Sequence, residues 1–168
     1  MTVTEARVVM QAPGQGNATW AMGSLFERLV GADDTDGLFG VSLVTQPPGT
    51  ATPFHLHSHE AEALYLLDGT MKYRAGEEIF ELTAGCFMYL PRGIPHAFRI
   101  TGKVNARFLA LTAPGGLMTL YDEVGVPARE RRLPSVEETP MAEEIARWGE
   151  VGARYGLSVV GPPLHEED

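Results

Sequence analysis

From residue 19 to residue 112 the chain consists of short apolar or alternating runs, each cut off by Gly, Pro or Asp. Many short strands at this spacing argue for an all-β sandwich or barrel. The runs predict strands at 24–30, 38–45, 52–57, 62–67, 70–75, 77–82, 86–90, 96–100 and 106–112. Turn formers separate them: Asp33-Asp34-Thr35-Asp36-Gly37, Pro47-Pro48-Gly49, Asp68-Gly69 and Ala75-Gly76. Asp68-Gly69 lies between Tyr65-Leu66-Leu67 and Met71-Lys72-Tyr73, so it predicts a hairpin: a type I′ turn needs positive φ at both central residues, which Asp-Gly tolerates.

Outside that stretch the pattern changes. Residues 12–17, Ala-Pro-Gly-Gln-Gly-Asn, are loop chemistry, and Ala113-Pro114-Gly115-Gly116 is a break. Leu117, Leu120, Tyr121 and Val124 then recur at helical spacing. A second helix is expected over 140–155, with Thr139 as its cap, Pro140 at its first position and Glu143 and Glu144 at its positive end. Met141, Ile145, Trp148 and Tyr155 would form its apolar stripe, and Gly156 would end it. The expected architecture is one domain over 1–168, with a barrel at about 20–112 and a helical cover at about 115–156. That cover would pack on the barrel or on a second subunit. No internal repeat is apparent, and no linker is long enough to set off a second domain.

Four of the five histidines lie between positions 55 and 96. Side chains alternate along a strand, so His55 and His57 point to one face. Glu62 has the wrong parity for the same continuous strand. A turn through residues 58–61 would make it a cross-strand neighbour of His57, with Cβ atoms roughly 4.5–5.5 Å apart. His96 follows the tight connection Pro91–Pro95 and can supply a third imidazole. Three neutral imidazoles and a carboxylate suit one divalent transition metal (Fe, Ni, Co, Mn, Cu or Zn) better than Ca or Mg. His59 and Glu60 are rival ligands, but the turn should swing both outward. A histidine cluster on the surface is the plainer alternative. His165 sits in a polar tail, and Cys86, with no basic neighbour in sequence, reads as a small core residue.

These two segments resemble the paired motifs of the cupins. Gly49, His55, His57, Glu62 and Gly69 fit G-x5-H-x-H-x4-E-x6-G, and Gly85, Pro91, Gly93 and His96 fit G-x5-P-x-G-x2-H. The second motif's final Asn falls at Ile100, a departure at a position that does not ligate metal. The resemblance implies a double-stranded β-helix, or jelly-roll barrel, with C-terminal helices. It implies a metal held by His55, His57, Glu62 and His96. Residues 113–128 and the late segment Tyr155-Gly156-Leu157 with Gly161-Pro162-Pro163-Leu164 resemble bacterial single-domain quercetin 2,3-dioxygenase-like proteins. That finer resemblance implies a dioxygenase acting on an aromatic, flavonol-like or enolic small molecule, with O₂ as co-substrate and Glu62 accepting the substrate proton. A non-oxidative metal cupin (polyketide cyclase, isomerase or decarboxylase) and a non-catalytic binding module are the alternatives. The pocket should be apolar, with Phe54, Leu64, Leu66, Met88, Phe98, Phe108 and Met118 as candidate lining. Cupins are often dimers, so a homodimer is expected, with residues 1–30 as the exchanged or edge-covering segment.

Charge and composition narrow the partners. The formal net charge of −9 disfavours phosphate backbones and anionic lipid surfaces, so neither nucleic acid nor a membrane is expected to bind. The single cysteine forbids an intramolecular disulfide. Residues 1–10 lack the basic start and apolar core of a signal peptide, and no run approaches 18 apolar residues. A cytoplasmic protein is the expectation.

Overall fold

The computed structural model describes residues 8–139 and 141–167. Its first paired strands, β1 (Ala18–Ala21) and β2 (Ser24–Val30), are joined by Met22-Gly23. Both turn residues have positive φ, 49° and 71°, as a two-residue turn matched to strand twist requires. β3 (Gly40–Gln46) alternates strictly, burying Gly40, Ser42, Val44 and Gln46. β4 (Pro53–His57), β5 (Ala61–Asp68), β6 (Thr70–Ala75), β7 (Glu78–Thr83), β8 (Phe87–Leu90), β9 (His96–Thr101) and β10 (Ala106–Ala113) follow. After α1 (Met118–Val124) come the short β11 (Val126–Pro127), α2 (Met141–Arg154) and β12 (Leu157–Pro163).

The strands form two antiparallel sheets, ordered β11-β1-β2-β3-β10-β5-β8 and β12-β4-β9-β6-β7. Their inner faces meet in a core that includes Val44, Leu64, Leu66, Met71, Tyr73, Ile100 and Phe108. Each such apolar side chain contributes about 1.5–3 kcal/mol on burial. The architecture is the all-β jelly roll with C-terminal helices.

The Asp68-Gly69 hairpin does not form. β5 ends in one sheet and β6 begins in the other, so Gly69 turns a corner between layers. Its φ is +85°, and a Cβ there would lie 2.8 Å from the Ala106 Cα, so glycine serves a close backbone approach. The reason lies in packing: Leu64 and Leu66 must face Met71 and Tyr73 across the core, which a hairpin within one sheet would prevent. The tight hairpin falls one connection later, where Gly76-Glu77 joins Ala75 to its partner Glu78.

Three strands lay beyond the sequence pattern. β1 and β11 are very short, and Pro162 and Pro163 disguise β12. β12 is an edge strand on β4 with register shifts around Gly161, where missing N–H groups are tolerated. The C-terminal cover packs on its own barrel. Asp122 of α1 accepts hydrogen bonds from Thr19 Oγ1 at 2.6 Å and from Arg28 Nη1 at 2.5 Å, and Leu117, Leu120, Val124, Trp148 and Leu157 form a second core.

The apolar stripe expected on α2 is rotated. Its buried residues are Glu144, Trp148 and Gly152, while Met141 and Ile145 are partly exposed. Glu144 accepts the Met22 N–H at 2.6 Å, so it ties the helix to the β1–β2 turn as well as sitting near the helix's positive end. The Thr139 hydroxyl donates to Ser135 O at 3.4 Å. Pro140, and residues 1–7 of the segment expected to cover a partner, lie outside the described residues. No helix among those described is long and apolar enough to cross a membrane.

Candidate metal centre

Strand alternation places His55 and His57 on the inner face of β4, 4% and 3% exposed. His96 opens β9 and is the direct register partner of His55. The Gly93 N–H, in the connection preceding β9, donates to His57 O at 2.7 Å, tying the two histidine segments together. The three rings lie 4.4–5.3 Å apart between centroids. One nitrogen from each falls within 4.8 Å of the others.

Glu62 reaches this cluster by a different route from the one expected. β4 and β5 belong to different sheets, so His57 and Glu62 are not cross-strand neighbours. Residues 58–60 carry the chain between layers, and Glu62 then faces the imidazoles across the interior. Its Oε2 lies 3.1 Å from His96 Nε2 and its Oε1 lies 3.5 Å from His57 Nε2.

Backbone carbonyls orient two of the rings. His55 Nδ1 donates to Pro53 O at 2.7 Å, and His96 Nδ1 donates to Ile94 O at 2.9 Å. A carbonyl can only accept, so each Nδ1 carries hydrogen and each Nε2 turns inward. Burial, reinforced by the His96 and His57 charges, pushes His55 down to about 3, so its Nε2 lone pair is free at neutral pH. Burial also lowers His57. Burial opposes charge on Glu62, but the His96 hydrogen bond and the surrounding imidazoles outweigh it and hold the carboxyl at about 2. Burial likewise works against the His96 charge, and the Glu62 carboxylate overcomes it, so His96 is raised.

The donor set fits a transition metal. His57 is buried, yet neither ring nitrogen has a hydrogen-bond partner. Such orphaned groups are costly unless something binds them. A cation held by His55, His57, His96 and Glu62 would satisfy Nε2 of His57.

His55, Glu62 and His96 of this cluster line part of a cavity of about 560 Å³ between the sheets. Of the expected lining, Leu64, Phe98, Phe108 and Met118 border it. Phe54, Leu66 and Met88 do not. Phe54 neighbours His55, so alternation turns it outward, where the Arg74 guanidinium stacks on its ring at 4.3 Å. Leu66 is fully enclosed in the main core, and Met88 packs against that core. Sequence reasoning missed Gln46, Tyr73, Tyr121, Met141, Ile145 and Trp148, which also border the cavity. The Trp148 ring meets His55 edge-on at 5.1 Å, and Tyr121 stacks on Phe26 at 4.0 Å. Helical spacing marked Tyr121, Ile145 and Trp148 as apolar-face residues, but could not show that they roof a cavity.

His59 is exposed, as its turn position implied. Glu60 departs from expectation: it is buried, with Oε2 unpartnered, and burial raises its pKa. His165 is exposed, and Cys86 packs against the main core.

This two-sheet jelly roll, with the cluster inside it, has the fold of solved cupin domains. Residues 42–112 match the model of the family described as Cupin domain. The chain is 28% identical over 119 residues to the quercetin 2,3-dioxygenase of Bacillus subtilis strain 168, covering 71% of this chain and 34% of that protein. It is 30% identical over 105 residues to the xanthan biosynthesis protein XanB of Xanthomonas campestris pv. campestris, covering 61% of this chain and 22% of that one. The chain therefore spans about a third or less of the length of these relatives. Among solved structures, a predicted oxalate decarboxylase from Thermotoga maritima superposes with a TM-score of 0.57 at 18% identity, covering 64% of this chain and 99% of that one. The Cnp3 cupin domain of Schizosaccharomyces pombe gives 0.56 at 20% identity, covering 67% and 79%. At these identities the structural likenesses concern the fold.

Proposed function

We propose that this chain is a metal-dependent cupin oxygenase, a dioxygenase acting on a flavonol-like or enolic small molecule. The observation that carries the reading is one polar cluster, His55, His57, His96 and Glu62, of which His55, His96 and Glu62 border an otherwise largely apolar cavity. These four side chains would hold one divalent transition metal. Such a metal, when bound, would supply Lewis acidity that favours ionisation of an enol or phenol hydroxyl.

The protein's own groups set up that chemistry. The Pro53 and Ile94 carbonyls fix the tautomers of His55 and His96, which orients both rings before any ligand arrives. Glu62 borders the cavity, so its carboxylate can reach a substrate hydroxyl and accept the proton at Oε1 or Oε2. A carboxyl held at about 2 is a weak base, so transfer works only on a hydroxyl already made acidic. Phe98, Phe108 and Leu64 exclude water and favour a planar apolar body over a sugar. The similarity to the Bacillus subtilis quercetin 2,3-dioxygenase supports this substrate class.

Elemental analysis followed by O₂ uptake with a panel of flavonols and catechols tests the proposal. About one equivalent of transition metal, with substrate-dependent O₂ consumption abolished in Glu62→Ala, is the expected result. Bound metal and bound flavonol without O₂ consumption would replace the dioxygenase by a non-oxidative cupin. Failure to take up metal after reconstitution would refute the metal centre itself.

A further inference from the structure

The cavity extends well beyond the histidine cluster. Along β10, Thr112 stands opposite Glu62 and Ala106 stands opposite Gln46. Those levels are separated by about 20 Å of strand at about 3.3 Å per residue. Glu62 and Gln46 nevertheless border the same cavity. Between them its wall is apolar, with Leu64, Phe108 and Val44 from one sheet and Phe98 from the other.

Gln46 is anomalous in this setting. It is only 5% exposed, and its Oε1 has no hydrogen-bond partner. Its own segment offers little relief. Pro47 and Pro48 have no N–H to donate, and the Gly49 and Thr50 N–H groups are committed to Ile100 O and Pro47 O. A buried primary amide with an unsatisfied oxygen is costly to maintain. It makes sense where something else is meant to complete it, and an amide can rotate to present either its oxygen or its NH₂.

We propose that Gln46 is the second anchoring point of the ligand site. It hydrogen-bonds a hydroxyl or carbonyl at the end of the substrate remote from His55, His96 and Glu62. The inference rests on the reading that the histidine end receives an acidic hydroxyl. It adds a substrate class: elongated, planar molecules with polar groups at both ends and an apolar middle. Single-ended phenols and enols fill the histidine end and leave Gln46 unpaired, so they bind less tightly. Specificity of this kind arises because a buried polar group penalises any ligand that fails to pair it.

Isothermal titration of the metal-loaded full chain with quercetin, hydroxylated on both ring systems, and with 3-hydroxyflavone, hydroxylated only at the enol, tests the inference. Wild-type protein should prefer quercetin by about tenfold, the equivalent of about 1.4 kcal/mol. In Gln46→Leu the preference should fall to about twofold or less, with 3-hydroxyflavone affinity unchanged. Gln46→Met, similar in length and unbranched, should behave the same, and unaltered melting temperature and metal content would show that both variants fold. A preference that survives both substitutions, an equal weakening of both flavonols, or binding of neither by wild type would overturn the inference. The oxygen electrode reports separately: a Gln46-dependent preference without O₂ consumption keeps the inference and removes the dioxygenase reading.

Discussion

Replacing Glu144 by alanine should lower the melting temperature by about 4–8 °C. Glu144 is 3% exposed, and its Oε2 accepts the Met22 N–H at 2.6 Å. Met22 is the first residue of the two-residue β1–β2 turn, so its N–H lies outside the strand ladder. It also has a φ of +49°, unfavourable for a side chain with a Cβ. Removing the carboxylate leaves that donor unpaired and the turn unsupported, a loss of about 2 kcal/mol. For a chain of this size each kcal/mol shifts the midpoint by about 2–4 °C. Burial raises the Glu144 pKa, with the Met22 hydrogen bond and Arg147 working against that rise. A carboxyl raised in the folded state contributes stability that is full below its unfolded value and is lost as pH rises through the folded one. Glu144→Gln keeps an acceptor but cannot titrate. Its melting temperature relative to wild type should therefore rise as pH increases upward from 4.5, the ordinary value of the carboxyl. Thermal melts of the three proteins at a series of pH values from 4.5 upward decide the matter. The reasoning fails if Glu144→Ala melts with wild type at every pH, or if glutamine loses ground as pH rises.

Three further outcomes can be checked. Adding a divalent transition metal to stripped protein at about 100 times its Kd should stabilise it by about 2.7 kcal/mol, read as a thermal shift of roughly 5–11 °C. His57→Ala should lose most of that shift, and a full shift in the variant would remove His57 from the centre. Leu66→Ala, at a core position with no exposure, should cost about 2–5 kcal/mol in urea unfolding while leaving metal stoichiometry unchanged. Gly69→Ala combines a φ of +85° with a Cβ 2.8 Å from Ala106 Cα, so it should cost at least about 1–3 kcal/mol; an unchanged denaturation midpoint would show that the corner can relax.

Much of the barrel was legible because strand signals are local. Period-two alternation and turn formers placed nine strands within a few residues of where they lie. They missed the short β1 and β11 and one strand masked by two prolines. The shared inward face of His55 and His57 followed from the same alternation. Had that parity been applied to Phe54, it would have been placed outside the barrel at once.

Which strands share a sheet was not legible, because it depends on contacts far apart in sequence. Asp68-Gly69 has the residues of a hairpin, yet the core requires the layers to separate there, so Gly69 turns a corner. Glu62 meets the histidines across the interior for the same reason. The chain alone determined the residue types of the candidate site, their spacing and the all-β class, since these depend on residue identity and the two-residue period of a strand. The tertiary structure alone decided that Gln46, Tyr73, Tyr121 and Trp148 share one cavity with His55, His96 and Glu62. Those residues come from four separate elements, and only the burial of apolar surface between two sheets and a helical cover brings them together.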